Sequence, residues 1–324
     1  MNYNLKNTIR NISHKNRLLS SIYKHANRYK VKILSKVNDE KFAKMKYREN
    51  TGKELNLDYP RTFNEKLWWL KIHNRDPLLT TCSDKVMVRD YVKGKGLEHI
   101  LVPIFGVYKT PEEIDFNELP ERAFIKTNHG SGKNIIWDKK KNFNHKAFNK
   151  EFRNALQENY YYQSREWNYK NIPPRLIVEK MLVDNPGVSL IDYRFLCFEG
   201  EVKLIFVDVE TAAEDGSHSP YAKRNVYDRE FNQLEIKVAR EPFDKNKVSK
   251  PMNFDLMLKY AEILSEPFVF SRVDLYNIDG EIYFGEITFY PGGCTQLFEP
   301  EEYEIELGLW INLQSDKIIY DEKK

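Results

Sequence analysis

Apolar and polar positions show two different periodicities along the chain, helical in the first third and strand-like after about residue 121. Residues 1–50 carry apolar side chains at roughly helical spacing and contain neither Gly nor Pro, which predicts basic helices. A further helix is predicted in 59–74, where Thr62 and Glu65 have the spacing of a capping box ahead of an apolar stripe.

Another helix is predicted in 82–96, with Ser83 or Asp84 as its N-cap. Later helices are expected near 145–160 and 252–265. Runs of β-branched and aromatic residues predict strands at 100–108, 122–128, 134–138, 175–182 and 193–209, and a hairpin at 272–293. The order of these elements predicts an α+β fold, with a helical front followed by sheets and packed helices.

The composition is that of a globular protein with room for a real core. The 324 residues are 41% hydrophobic and 31% charged, and no run of 18 apolar residues predicts a transmembrane helix. The basic first thirty residues lack the apolar centre of a secretory signal. Three widely spaced cysteines favour a reducing cytoplasm over a zinc site or a disulfide framework.

Basic charge is concentrated at the front of the chain. Residues 1–50 hold 13 Lys and Arg against 3 Asp and Glu. Such a segment suits anionic lipid, an acidic glycan or nucleic acid, although charge alone favours a solvated helical surface. Nucleic acid is the weakest of these partners, because no helix-turn-helix, RNA-binding or zinc-finger pattern accompanies the charge.

The hairpin at 272–293 carries polar residues within apolar strands. Arg272, Asp274, Glu286 and Thr288 share one face if the turn is a three-residue loop, or if the hairpin contains a bulge. The three-residue loop would place Arg272 opposite Glu286 and Asp274 opposite Phe284. Two carboxylates on one surface suit Mg²⁺, but this stretch alone favours the solvent face of a half-buried hairpin.

Three other stretches offer weaker signals. Lys126 ends a strand before the small loop 129–132, whose backbone N–H groups could close on phosphate, although a plain hairpin turn explains it equally well. Glu179 ends an apolar strand whose continuation could meet an adenine edge, or it is a surface Glu at a strand end. Lys85 could reach phosphates, although a capping pair with Asp84 is the better interpretation in isolation.

The order of these pieces is far more specific than any one of them. It resembles the ATP-grasp superfamily, and more closely its TupA-like branch, which is associated with teichuronopeptide and surface-polysaccharide gene clusters. The resemblance covers roughly residues 60 to 310, including "HGSGKN", "SREWNYKN" and "RVDLYNIDGEIYFGEITFYPGG". It implies two α+β lobes that hold ATP between them. The segments expected from it are a basic helical segment 1–58, a helical region 59–120, a first lobe 121–182 and a second lobe 183–324.

The resemblance also implies roles for individual residues. The residues expected to contact the ATP phosphates are Lys85, Lys126 and the loop His129, Gly130, Ser131 and Gly132. Contacts with adenine and ribose fall to Glu179, Met181, Leu182 and Asp192. The resemblance assigns Mg²⁺ binding to Asp274 and Glu286. It assigns stabilisation of the reacting oxyanion to Arg272, and it implies catalytic roles for Lys126 and His129 as well. Lys203, Arg194 and Arg224 are expected to contact the substrates or to assist electrostatically. Arg165 and Trp167 belong to the "SREW" signature and are candidate substrate contacts, but the resemblance assigns them no definite role.

One departure from the family pattern concerns the metal site. Thr288 stands where many ATP-grasp enzymes have Asn, and a hydroxyl is a weaker metal ligand than an amide carbonyl. The sequence therefore does not decide whether the site binds one Mg²⁺ or two.

The chemistry implied by the resemblance is carboxylate–amine ligation through an acyl-phosphate. The expected substrates are ATP, an anionic saccharide with a uronic-acid carboxylate, and an amino acid or other amine. The alternatives are an ATP-dependent phosphotransferase acting on a glycan, or a glycosyltransferase or non-catalytic glycan-binding protein. The expected location is the cytoplasm, at the inner face of the membrane if residues 1–50 touch lipid or a lipid-linked glycan.

Overall fold

The computed structural model describes residues 31, 34–183, 190–213 and 215–321. Its helices are α1 (Asp39–Thr51), α2 (Phe63–His73), α3 (Pro77–Ser83), α4 (Val88–Gly94), α5 (His145–Leu156), α6 (Tyr161–Ser164), α7 (Phe254–Ser265) and α8 (Glu302–Leu309). Its strands are β1 (Ile104–Tyr108), β2 (Arg122–Thr127), β3 (Asn134–Asp138), β4 (Leu176–Lys180), β5 (Asp192–Phe198), β6 (Glu201–Val209), β7 (Lys223–Tyr227), β8 (Gln233–Leu234), β9 (Lys237–Val238), β10 (Phe270–Ile278), β11 (Glu281–Thr288) and β12 (Phe298–Glu299).

The basic helices predicted in residues 1–50 lie mostly outside the described residues. The described part includes α1, whose N-cap is Asn38; the side chain of Asn38 accepts a hydrogen bond from the Lys41 N–H. The C-cap of α1 is Gly52, which adopts a left-handed conformation with φ of 74°. Within the described residues, no helix is long and apolar enough to cross a bilayer.

The predicted capping box of α2 is confirmed. The Thr62 hydroxyl accepts from the Glu65 N–H at 3.3 Å, and the Glu65 carboxylate accepts from the Thr62 N–H at 3.0 Å. Two otherwise unpaired N–H groups of the first turn are therefore satisfied, and α2 can pack into the core.

The N-cap predicted at Ser83 or Asp84 is wrong, because two short helices occupy that stretch. α3 starts earlier, where Asp76 caps the Leu78 N–H and Pro77 takes the first helical position. Ser83 is the last residue of this helix, and Asp84 begins the turn that leads to α4. Lys85 therefore lies in a turn between two helices.

The smaller sheet is antiparallel with strand order β1-β4-β2-β3. Its inner face packs on α5 through Ala123, Ile125, Phe148, Phe152 and Val178, all of which are buried. The first strand, β1, comes from the helical region 59–120 and pairs with β4. The domain boundaries remain a prediction.

The larger sheet is also antiparallel, in the order β11-β10-β5-β6-β7-β8. The front helices and this sheet share one hydrophobic core, in which Phe63 of α2 makes an edge-on contact with Phe270 of β10. Helix α7 covers the same sheet with its buried residues Phe254, Met257 and Ala261. The polar residues of the hairpin lie on this larger sheet.

The hairpin β10–β11 has a two-residue turn and a bulge. Asp279 and Gly280 both have positive φ, 51° and 84°, as a tight type I′ turn requires. The register shifts at Gly285, so that Arg272 lies opposite Thr288 and Asp274 opposite Glu286. The predicted three-residue loop and its pairings are therefore wrong, because the extra residue sits in the strand. The alternative, a bulged hairpin, is what the structure has.

Candidate active site

The polar residues of the hairpin converge on one face of the larger sheet. Arg272 donates two hydrogen bonds to Asp274, from Nε at 2.7 Å and from Nη2 at 2.6 Å. The same Nη2 lies 3.0 Å from the Thr288 hydroxyl and 3.3 Å from Glu286 Oε1. The bulge at Gly285 brings Glu286 to this face, so the predicted grouping of the four residues is confirmed.

The two acids of the hairpin differ in their electrostatics. Burial raises the pKa of Asp274 to about 6, although Arg272 and Arg194 oppose the shift. Burial also acts to raise the pKa of Glu286, but Lys85, Arg272 and Arg194 together outweigh it and lower that pKa to about 2. Glu286 is therefore a permanent anion at neutral pH, held by cations from three elements.

Lys85 connects the turn between α3 and α4 to both the glycine loop and the hairpin. Its Nζ donates to the Gly130 carbonyl at 3.0 Å and lies 3.8 Å from Glu286 Oε2. Burial lowers the pKa of Lys85, partly offset by Glu286. This ammonium is therefore poised beside the acidic face.

Lys126 and Glu179 form an ion pair across β2 and β4, with Nζ and Oε1 2.5 Å apart. Both line a cleft that also contains Lys85 and Glu286. The apolar part of the lining includes Val88, Val102, Phe284 and Ile287. The cleft therefore combines cationic side chains with an apolar surface.

The glycine loop is anchored by a buried asparagine that the sequence analysis missed. Asn128 donates from Nδ2 to Asp84 at 2.8 Å and to the Pro173 carbonyl at 3.0 Å, and its Oδ1 accepts from the Arg175 N–H. His129 is buried, with Nδ1 3.2 Å from Asn128 Oδ1 and Nε2 3.3 Å from the Ala155 carbonyl. In this conformation its ring contacts the scaffold, and the predicted catalytic role stays a prediction.

The rest of the loop faces another loop of the chain. A Cβ at Gly130 would lie 3.6 Å from Tyr160, and one at Gly132 would lie 3.5 Å from the ring of His218. Gly132 has φ of 80°, which disfavours any other residue. Ser131 between them is exposed. His218 comes from the segment that joins β6 to β7.

A row of buried charges continues from the hairpin across the larger sheet. Asp208 on β6 accepts two hydrogen bonds from Arg224, at 2.6 and 2.7 Å, and one from Arg240 at 2.5 Å. Arg194 lies 3.0 Å from Asp208 and 3.8 Å from Asp274, so it joins the row to the hairpin. Arg194 also lies 3.7 Å from Asp192, so the three arginines of the row meet three carboxylates.

Two members of this row, Asp208 and Arg240, were not predicted. Asp208 ends an apolar run, and only the register of β6 with β5 and β7 shows which side chains it meets. Arg240 comes from an irregular loop whose position no periodicity indicates. Asp192, predicted to meet ribose, lies at the edge of the row and accepts from the Thr211 hydroxyl at 2.6 Å.

Several predicted residues lie outside this group. Lys203 pairs with Glu201 at 2.6 Å on the same strand and is part-exposed. Met181 and Leu182 directly follow β4, the strand that carries Glu179. No contact in the structure bears on their predicted role.

The "SREW" signature forms a wall between the cleft and the front of the chain. Arg165 is buried and points away from the cleft, donating from Nη2 to the Leu34 and Val37 carbonyls at 2.6 and 2.8 Å. Its Nε lies 2.9 Å from Asp39. Trp167 lies under the guanidinium of Arg75. Arg165 thus holds the segment before α1.

The next residues of this wall reach the cleft, a feature that the sequence did not reveal. Asn168 donates to the Ser83 hydroxyl at 2.6 Å. Both Ser83 and Tyr169 line the cleft.

The donor set at the hairpin fits a hard cation such as Mg²⁺. Within the described part of the chain, no cluster of three His, Cys, Asp or Glu residues could hold a metal ion. Asp274 and Glu286 nevertheless supply carboxylate oxygens with spare lone pairs, and Thr288 adds a hydroxyl. Such a set leaves further coordination positions to water and phosphate oxygens.

The fold and this site together define an ATP-grasp protein of the α+β class. The family model for TupA-like ATPgrasp matches residues 65–312, and the chain belongs to this family. No curated protein matches the chain at significant similarity.

Three ligase or synthetase structures are among those with a distant likeness to the chain. An L-amino acid ligase from Bacillus licheniformis has 12% identity and a TM-score of 0.45, over 79% of this chain and 58% of that one. A D-alanine–D-alanine ligase from Bacillus anthracis complexed with ATP has 17% identity and a TM-score of 0.39, over 66% of this chain and 58% of that one. D-cycloserine synthetase DcsG has 12% identity and a TM-score of 0.42, over 73% and 71%. The chain thus spans less than two thirds of the length of the first two.

Proposed function

We propose that this chain is an ATP-dependent carboxylate–amine ligase that forms an amide through an acyl-phosphate. The observation that carries the proposal is the meeting of Lys85, Lys126 and the acidic hairpin face around one cleft. Membership of the ATP-grasp family supports ATP as the phosphoryl donor.

In the proposed complex, Lys85 and Lys126 neutralise the phosphates of ATP and hold them in line with the attacking carboxylate. Asp274, Glu286 and Thr288 would hold Mg²⁺, which would supply further charge neutralisation at the phosphates. To contact a phosphate oxygen, Lys126 must weaken its ion pair with Glu179. Glu179 stays beside the adenine end of the cleft, as the resemblance implies.

The acid substrate attacks the γ-phosphorus of ATP, forming the acyl-phosphate and releasing ADP. Arg272 lies within reach of the hairpin acids, where it can stabilise charge on the reacting oxygens. An amine then attacks the acyl carbon, and inorganic phosphate leaves. Positioning and charge neutralisation accomplish this without a nucleophilic residue of the protein.

We propose the buried arginine row as the subsite for the acid substrate. Arg194, Arg224 and Arg240 all contact Asp208, and Arg194 also lies 3.7 Å from Asp192. Arg194 lies between this group and Asp274. An acid entering here finds cations that hold its negative groups next to the phosphate-binding end.

The substrate class that the family suggests is a uronic-acid carboxylate of a surface polysaccharide, joined to an amino acid or another amine. Residues 1–50, with their basic charge, would bring the enzyme to an acidic or lipid-linked acceptor at the cytoplasmic face of a membrane. Both statements rest on the TupA-like membership and on composition, and neither rests on a contact in the structure.

The test is an incubation with ATP, Mg²⁺, glucuronate and single amino acids as amine probes. We expect ADP, free phosphate and an amide, detected by mass spectrometry. Phosphate retained on the sugar would instead identify a phosphotransferase. Absence of any stabilisation of the protein by Mg-ATP or Mg-ADP on heating would exclude both activities.

A further inference from the structure

A buried hydrogen bond between Asp84 and Asn128 joins two parts of the molecule that have separate cores. Asp84 lies in the turn between α3 and α4, where Cys82 and Val88 belong to the core shared with the larger sheet. Asn128 directly follows β2, whose Ile125 belongs to the core of the smaller sheet. Asp84 is 3% exposed and Asn128 is fully buried. The two side chains are therefore held to each other, because neither can exchange its partner for water.

The partners of the Asn128 amide fix its orientation. Its Nδ2 donates to Asp84 Oδ1 at 2.8 Å and to the Pro173 carbonyl at 3.0 Å, and its Oδ1 accepts from the Arg175 N–H at 2.7 Å. The Pro173 carbonyl can only accept and the Arg175 N–H can only donate. The group that faces Asp84 is therefore an N–H donor, and its bond to the carboxylate is of the stronger, charge-assisted kind.

The Asp84 carboxylate shapes its own turn and ties it to the glycine loop. The same Oδ1 that accepts from Asn128 also accepts from the Val86 N–H at 2.9 Å, which closes a local turn at Asp84. The preceding residue is held from a third direction, since the Ser83 hydroxyl accepts from Asn168 at 2.6 Å. Side chains from separate segments thus fix two consecutive residues of the turn.

Lys85 is the next residue of this fixed turn. Its backbone N–H donates to the Asn128 carbonyl at 3.3 Å, and its Nζ donates to the Gly130 carbonyl at 3.0 Å. The same Nζ lies 3.8 Å from Glu286 Oε2. The long side chain of Lys85 therefore starts from a backbone that the bond between Asp84 and Asn128 holds against the glycine loop.

We propose that Asp84 and Asn128 are a positioning pair that holds the ammonium of Lys85 at the phosphate-binding end of the cleft. The inference rests on the ATP-dependent activity proposed above, in which Lys85 neutralises phosphates. The pair contacts no part of the nucleotide and acts through Lys85. A fixed turn reduces the conformational freedom that the lysine loses when it binds a phosphate, so nucleotide binding is stronger.

Charge and position predict opposite effects at Asp84. A carboxylate near bound phosphates repels them, so loss of its charge alone should strengthen nucleotide binding. Loss of its hydrogen bonds should weaken binding, because the turn and Lys85 are then free to shift. Asp84→Asn removes the charge but keeps an Oδ1 acceptor for Asn128 and for the Val86 N–H. Asp84→Ala removes both the charge and the acceptor.

Calorimetric titration with Mg-ADP distinguishes the two effects. Asp84→Ala should weaken the affinity on the order of 10-fold, the effect of losing a hydrogen bond to a charged group. Asp84→Asn should bind as tightly as the wild type or more tightly. Asp90→Ala is the matched control, because it removes an exposed carboxylate from the neighbouring α4, and it should bind like the wild type.

A double-mutant cycle shows whether the pair acts through Lys85. Lys85→Gln should itself weaken Mg-ADP binding, because the cation is lost. When Asp84→Ala is added to Lys85→Gln, the affinity should fall no further, since the ammonium that the pair positions is absent. A purely structural role of Asp84 predicts instead that the two losses add.

The outcomes separate this inference from the activity on which it rests. No binding of Mg-ADP by the wild type would overturn the ATP-dependent activity, and the positioning role with it. Binding by the wild type would leave that activity standing. The positioning role alone would then be overturned by additive losses, by wild-type affinity in Asp84→Ala, or by equally weak binding in Asp84→Asn and Asp84→Ala. If Asp84→Ala does not fold, Asp84→Ser replaces it, because its hydroxyl can accept from the Val86 N–H but is too short to reach Asn128.

Discussion

Single residues of the site take their charge state from several elements at once. Burial by itself acts to raise the pKa of Glu286, yet Lys85, Arg272 and Arg194 lower it to about 2. These cations come from a turn, from β10 and from β5. The hairpin pattern placed Arg272 on the same face as this acid. Lys85 was linked to it only through the family resemblance, because residues so far apart in the chain give no local signal.

Glu286→Gln should abolish ATP turnover while the fold is kept. The amide cannot bind Mg²⁺ as a carboxylate does, and it leaves Lys85 without its nearest anion and Arg272 with Asp274 alone. We expect ADP formation to fall by at least about 100-fold. Glu281→Gln, on the exposed tip of the same hairpin, is the control and should keep the wild-type rate. Equal rates in both variants would show that the metal assignment is wrong.

At the scale of elements, the strands were predictable and their register was not. Alternating apolar runs located all the strands of the cleft, and the capping box located α2. The hairpin turn was misplaced because one extra residue can sit in the loop or in the strand with the same apolar pattern. Only the pairing across the hairpin decides, and it puts the extra residue at Gly285.

Two glycines of the hairpin allow this register to be tested. A Cβ at Gly285 would lie 2.9 Å from the Asp274 carbonyl oxygen, so Gly285→Ala should displace the bulge and Glu286 with it. Gly280→Ala meets no atom within 4 Å and should cost only about 1 kcal/mol of stability, through its positive φ. Activity assays with urea unfolding check this. If Gly285→Ala kept full activity, the bulge would not position the acid.

The charged row across the larger sheet couples β5, β6 and β7. Asp208 is fully buried, and Asp208→Asn leaves Arg194, Arg224 and Arg240 without their common partner. We expect a loss of about 3–5 kcal/mol in the free energy of unfolding. Asp255→Asn, at a side chain that is 92% exposed, should stay within about 0.5 kcal/mol of the wild type.

The same carboxylate predicts a pH dependence of stability. Burial opposes ionisation of Asp208, but Arg194, Arg224 and Arg240 lower its pKa to about 2, below the ordinary value of 3.8. The folded state therefore gains stability from this group above about pH 4 and loses it as the pH falls towards 2. Urea midpoints measured from pH 5 to pH 2 should fall more steeply in the wild type than in Asp208→Asn. Parallel curves would contradict the assignment.

At the scale of the molecule, two antiparallel sheets and a set of front helices bring the site together. Lys126 and Glu179 come from the smaller sheet, Glu286 from the larger one, and Lys85 from the turn between α3 and α4. The order of weak motifs predicted the family, and the family match confirms that prediction. It could not assign the "SREW" wall, because contacts with distant residues define each of its side chains.

The central claim is that the acid substrate is activated by transfer of a phosphoryl group to its carboxylate. Mass spectrometry of the phosphate released from carboxyl-¹⁸O-labelled glucuronate, ATP, Mg²⁺ and an amine tests this directly. In an acyl-phosphate route, one carboxylate oxygen leaves with the phosphate. The released phosphate should therefore carry one ¹⁸O. Amide formed with unlabelled phosphate, or a phosphorylated sugar with no phosphate released, would contradict it.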